Sequence, residues 1–118
     1  MNAFILSISG ITTAAGTGGE WAIPVTTRLR ILSVGVTDTD GIAADNTDYV
    51  TATITGSTGY DSRAANQGAL TADTPLTLTN DSTGVIVAAG GQLKVTLAKA
   101  GSGKATEMGV SWLVQLIN

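Results

Sequence analysis

The chain has 118 residues, a net charge of −3, only 13% charged residues, and neither histidine nor cysteine. That length suits one domain, spanning 1–118, with a single modest core. The missing residue types exclude disulfides, zinc–thiolate centres and imidazole or thiol catalysis, and the acidic balance leaves no basic patch for a nucleic-acid partner.

The opening run Met1 to Ile8 has no Lys or Arg ahead of its apolar residues and is interrupted by Ser7. It therefore reads as a first strand with Phe4, Leu6 and Ile8 inward, rather than as a cleaved leader. Gly16 to Gly19 is a turn. Trp21, Ile23 and Val25 alternate as a second strand, which Pro24, lacking an N–H, assigns to a sheet edge or ends. Arg28 to Thr37 is the longest strand. Its apolar phase runs Leu29, Ile31, then shifts to Leu32, Val34, Val36, which means either a β-bulge or a strand buried on both faces.

Asp38 to Asp48 is a polar connection, followed by a strand at Val50 to Thr55 whose valine, alanine and isoleucine alternate with threonines. Tyr60 to Asp73 has no firm period and is expected as a long loop with a helical turn near Ala64 and Ala65. Leu76 and Leu78 mark a strand, Val85 to Val87 a short one. Glycine turns at Gly90-Gly91 and Gly101-Ser102-Gly103 then lead into Leu93 to Leu97 and Met108 to Ile117. About eight short strands without a helix predict an all-β fold, an antiparallel β-sandwich or jelly roll. Sixteen alanines and an aromatic content of 4% predict a thin, aliphatic core.

In the last strand, Leu113 and Ile117 lie opposite Trp112. A strand apolar on both faces is covered twice, here by an insertion loop or by a neighbouring subunit. No segment approaches the ~20 apolar residues of a membrane-spanning helix, so no membrane is expected as partner.

Candidate chemistry is sparse. Ala100-Gly101-Ser102-Gly103-Lys104-Ala105-Thr106 resembles the centre of a phosphate-binding loop, but Ala98 stands where its first glycine belongs and Ala105 replaces the hydroxyl after lysine. A hairpin loop with a solvated lysine is the expected use. Asp38, Asp40, Asp45 and Asp48 form the densest carboxylate group. Calcium needs six to eight oxygens, yet Gly41 and Tyr49 break the spacing of the helix–loop–helix calcium motif, so turn chemistry is expected. Ser102 has no evident base, and the only glutamates, Glu20 and Glu107, read as solvated acids at strand ends. No catalytic, cofactor-binding or metal-binding residue is assigned, and no enzyme is expected. Trp21 and Trp112 suit either sugar stacking or core packing, with core packing favoured by their phase. Arg28 and Arg30 share a face that is either solvated or a patch for an acidic partner.

Three segments carry a family resemblance: Leu29 to Val34, Ile42-Ala43-Ala44-Asp45-Asn46-Thr47-Asp48-Tyr49-Val50-Thr51-Ala52-Thr53-Ile54, and Val87-Ala88-Ala89-Gly90-Gly91-Gln92-Leu93-Lys94-Val95. Together with the Gly-Ser-Gly-Lys hairpin and apolar final strand, they resemble tailed-bacteriophage capsid decoration (cement) proteins with a jelly-roll fold. The resemblance runs from Trp21 to the C-terminus and transfers no functional residues. It implies a structural virion protein, a homotrimer made in the host cytoplasm, that binds the major capsid protein on the outer capsid surface and bridges capsomers. The alternatives are a tail, fibre or baseplate component, or a secreted binding module for carbohydrate or dependent on calcium.

Overall fold

A computed structural model describes residues 3–81 and 85–117; Met1 and Asn2 of the opening run lie outside the described residues. Nine strands and no helix are present among the described residues. They are β1 (Ala3–Thr13), β2 (Gly19–Pro24), β3 (Leu29–Asp38), β4 (Tyr49–Ile54), β5 (Tyr60–Asp61), β6 (Leu76–Leu78), β7 (Val85–Val87), β8 (Gln92–Ala100) and β9 (Thr106–Leu116). They form two antiparallel sheets. One runs β1-β9-β3-β6, with β7 also on β3; the other runs β2-β8-β4-β5.

Strands β6 and β7 act as halves of one interrupted edge. Val34 to Val36 pair with β6 and Leu29 to Ile31 with β7, along the same side of β3. Counted so, the expected eight strands are met and the pairing is nested: first with last, second with second-last, third with sixth, fourth with fifth.

The alternating positions supply the core. Val50, Ala52 and Ile54 of β4, Leu93, Val95 and Leu97 of β8, and Met108, Val110, Trp112 and Val114 of β9 are all buried. Aliphatic side chains dominate, Ala52 is the only alanine among these buried residues, and Trp112 and Tyr60 are the buried aromatics. Trp112 is the largest, and burying its indole contributes roughly 4–6 kcal/mol of transfer free energy. Its Nε1–H donates to the Thr55 carbonyl at 2.9 Å, tying β9 in one sheet to the end of β4 in the other.

The phase shift in β3 is a bulge. Ile31 pairs with Val114 and Ser33 with Leu113, so Leu32 is the extra residue and the chain is not simply buried on both faces. The Leu32 carbonyl, lost to the ladder, accepts from Asn80 Nδ2 at 3.0 Å. Asn80 also bridges to Ser57, beyond the end of β4 in the other sheet.

Several expectations change. A second bulge lies in β1, where Ser9 and Gly10 together oppose Gly109 and Gly10 adopts φ +68°. Ile11 is thereby turned into the core, whereas Phe4 is exposed and Leu6 and Ile8 are half-buried. The Tyr60–Asp73 segment begins with β5 and holds two turns, one at Ala64 and Ala65 closed by Asn66 N–H to the Arg63 carbonyl at 3.0 Å, the other at Ala72 and Asp73 closed by Thr74 N–H to the Thr71 carbonyl at 3.1 Å. Pro24 does sit on an edge strand, β2, with Val25 buried just beyond it.

Candidate interaction surface

The two polar motifs of the sequence meet and satisfy each other. Asp45 Oδ1 accepts the Thr47 and Asp48 amides at 2.8 and 3.0 Å, while its Oδ2 pairs with Lys104 Nζ at 3.0 Å. Asp48 Oδ1 takes the Ser102 amide at 2.8 Å. The Asp48 and Thr47 amides, helped by Lys104, hold the Asp45 carboxyl down to about 2. Gly101, at φ +60°, lets the hairpin approach so closely that a Cβ there would strike the Asp48 carboxylate. The loop amide that would face a phosphate is therefore occupied by a carboxylate, and Lys104 is ion-paired rather than solvated.

The acidic stretch 38–48 does not act as one group. Asp38 is buried, and its Oδ1 accepts the Asp40 amide at 3.1 Å and its Oδ2 the Glu107 amide at 2.9 Å. Asp40, then Asp38 and Asp73, raise the Glu107 carboxyl above its ordinary range by hydrogen bonding and like charge. No group of three or more His, Cys, Asp and Glu suited to a metal ion is found among the described residues.

Glu20 pairs loosely with Lys94 at 3.4 Å across β2 and β8, both side chains exposed. Trp21 is half-buried against the core, its ring lying over Gly19 so closely that a Cβ there would be 2.7 Å away. Trp112 is wholly enclosed and offers no stacking face.

Sequence reasoning missed Lys99. Its ammonium donates to Thr13 Oγ1 at 2.9 Å and to the carbonyls of Ala14 at 3.2 Å and Lys104. Burial lowers its pKa. Thr13 and Thr106 hydroxyls bond at 2.8 Å beside it, and Thr106 donates on to the Ile11 carbonyl at 3.0 Å. The lysine thus ties the β1–β2 turn to the β8–β9 hairpin. Lys99 continues the inward phase of Leu93, Val95 and Leu97, so the signal was a lysine at the next core-side position of β8, beyond the apolar run that ends at Leu97.

The outer face of the β1-β9-β3 sheet carries the remaining candidates. Register puts Ala3, Gln115, Arg30 and Ile86 in one cross-strand row, then Ile5, Leu113 and Ser33 in the next. Ser7, Ser111, Gly35 and Thr77 follow, then Gly109 with Thr37, and last Thr12 with Glu107. Ile5 is 67%, Ile86 45% and Leu113 36% exposed, so among the described residues no insertion loop covers this face. Ile117 is half-buried and its amide donates to the Arg28 carbonyl at 3.1 Å. Beyond the Ile5–Leu113 pair the sheet dips into a hollow of about 380 Å³ lined by Ser7, Ser9, Thr37, Gly109 and Ser111, with Glu107 at its rim. One sheet face thus presents an apolar ridge flanked by Arg30 at one end and a small-residue basin flanked by acids at the other.

No protein-family model, curated protein or solved structure matches this chain.

Proposed function

We propose that this protein is a structural virion component, a decoration protein that sits on the outer surface of a tailed-phage capsid, binds the major capsid protein and bridges neighbouring capsomers. The observation that carries the reading is the nested pairing of the two sheets, with β1 on β9, β2 on β8, β3 on β6 and β7, and β4 on β5. That order is the one expected when a long antiparallel ribbon wraps into a jelly roll, the fold class implied by the sequence resemblance.

The polar loops support the same reading, because their charged groups are spent on each other. The Asp45–Lys104 and Asp48–Ser102 contacts tie the hairpin to the 45–48 turn. A cement protein needs a fixed shape and a broad surface more than reactive side chains. By binding the assembled shell better than its separated parts, it shifts the equilibrium toward the shell by mass action. Repetition over a symmetric lattice adds avidity to contacts that are weak one at a time.

The test is binding to shells of the phage that encodes the chain, stripped of this protein. Co-sedimentation and a raised shell disruption temperature are expected. Absence of binding to mature shells at every salt concentration refutes the reading. Labelled protein located on tails rather than shells moves the proposal to a tail, fibre or baseplate component.

A further inference from the structure

The outer face of the β1-β9-β3 sheet is complementary to itself, and we infer that it is where two copies of this chain pair about a two-fold axis. Such pairing does not depend on the capsid reading.

Along β9 the outward residues are Glu107, Gly109, Ser111, Leu113 and Gln115, with Ser111 at the centre. Consider a two-fold axis lying across the strands along the Ser7–Ser111–Gly35 row. It sets Leu113 of one copy over Gly109 of the other, and so places the Ile5–Leu113 ridge above the partner's 380 Å³ hollow. The same rotation sets the Arg30–Gln115 row over the partner's Glu107 row, next to Asp40. Shape and charge are thus matched by one operation, and each contact occurs twice, as an isologous interface requires.

The charges are available for this. None of the three ion pairs among the described residues involves Arg30, Asp40, Asp73 or Glu107. A hydrogen bond with Asp40, then the like charges of Asp40, Asp38 and Asp73, raise the Glu107 carboxyl, and an arginine brought across the interface offsets that crowding of acids. The floor of Gly35, Gly109 and Ser111 lets the two sheets approach without large side chains between them. Four strand positions at ~4.8 Å by eight residues at ~3.4 Å bury about 1,000 Å² in total, the lower bound for a specific pair. The dimer is therefore expected to be reversible.

The experiment is light scattering behind size exclusion on the full chain over a wide concentration range. A concentration-dependent dimer is expected. Leu113→Asp alters an already exposed site, so the fold is expected to persist, checked by the emission of buried Trp112, while self-association falls about a hundredfold. Arg30→Glu and Glu107→Arg are each expected to weaken pairing about tenfold or more, and the double reversal to restore it. A wild-type monomer at every concentration overturns the inference. So does a trimer, which must close through a different surface, a dimer indifferent to Leu113→Asp, or a double reversal that fails to recover pairing.

Discussion

Replacing Trp112 with phenylalanine tests whether the indole is what joins the two sheets. Trp112 is fully enclosed, and its Nε1–H reaches the Thr55 carbonyl at 2.9 Å. Phenylalanine keeps one ring in place and removes the pyrrole portion, leaving a void of ~40 Å³ that costs about 1 kcal/mol. Lost transfer free energy of the removed atoms adds about 1 kcal/mol. The part-buried Thr55 carbonyl loses its donor, which costs about 1–2 kcal/mol more. A total near 3–4 kcal/mol is a large share of the roughly 5–15 kcal/mol that keeps such a domain folded. Urea denaturation followed by circular dichroism measures it directly, with an unchanged slope expected and a Tm lowered by about 10–20 °C. Trp21→Phe is the control. Its ring is half-exposed over Gly19 on edge strand β2, so the loss there is expected to stay below about 1 kcal/mol. A loss under about 1 kcal/mol at Trp112, or a larger loss at Trp21 than at Trp112, refutes the reasoning.

Gly101→Ala forces a side chain into φ +60° and drives its Cβ onto the Asp48 carboxylate and, at 2.7 Å, the Thr47 carbonyl. A loss of about 2 kcal/mol or more is expected, with faster hydrogen exchange at the Ser102 amide; unchanged exchange refutes the clasp between the loops. The pH dependence has two limbs of opposite sign. Asp45 is held at about 2 against an ordinary 3.8, so its stabilising contribution is complete above 3.8 and is lost as pH falls toward 2. Glu107 is raised above 4.5, so the native state holds its proton longer than the unfolded chain, and stability falls as pH climbs through that raised value. Asp45→Asn is expected to flatten the acid limb and Glu107→Gln the rise-of-pH limb, read as urea midpoints from about pH 2 to 8.

Alternation made most of the sandwich legible. Val50 to Ile54, Leu93 to Leu97 and Met108 to Val114 are buried in the phase their sequence sets, because a period of two leaves one face no choice. The β3 bulge was written in the same way, as two apolar phases one residue out of step. The β1 bulge had an equal signal, Ile8 and Ile11 three residues apart around Gly10, but a short apolar run before it hid the shift. The β5 pairing, Tyr60 with Ala52 and Asp61 with Thr51, was illegible because two residues carry no period. The polar clusters were legible as residues and illegible as contacts. Asp45 and Lys104 lie 59 positions apart, and only the fold brings them within 3.0 Å. The outer-face ridge was half visible: Leu113 announced a second apolar face, while its neighbour Ile5 sits across the sheet on a strand 108 residues away in the chain.

The sheet orders also dictate when the molecule can come together. Each sheet has one inner position filled by the β8–β9 hairpin, β8 between β2 and β4, β9 between β1 and β3. Until residues 92–116 arrive, β1 has no neighbour to pair with, and β2 has none either. A growing chain therefore has both layers open until residue 92, and the β1-β9-β3 layer stays open until β9 follows. Assembly is expected to be a late, slow event governed by distant pairings, and the nascent strands must be kept from pairing with other chains until the hairpin inserts.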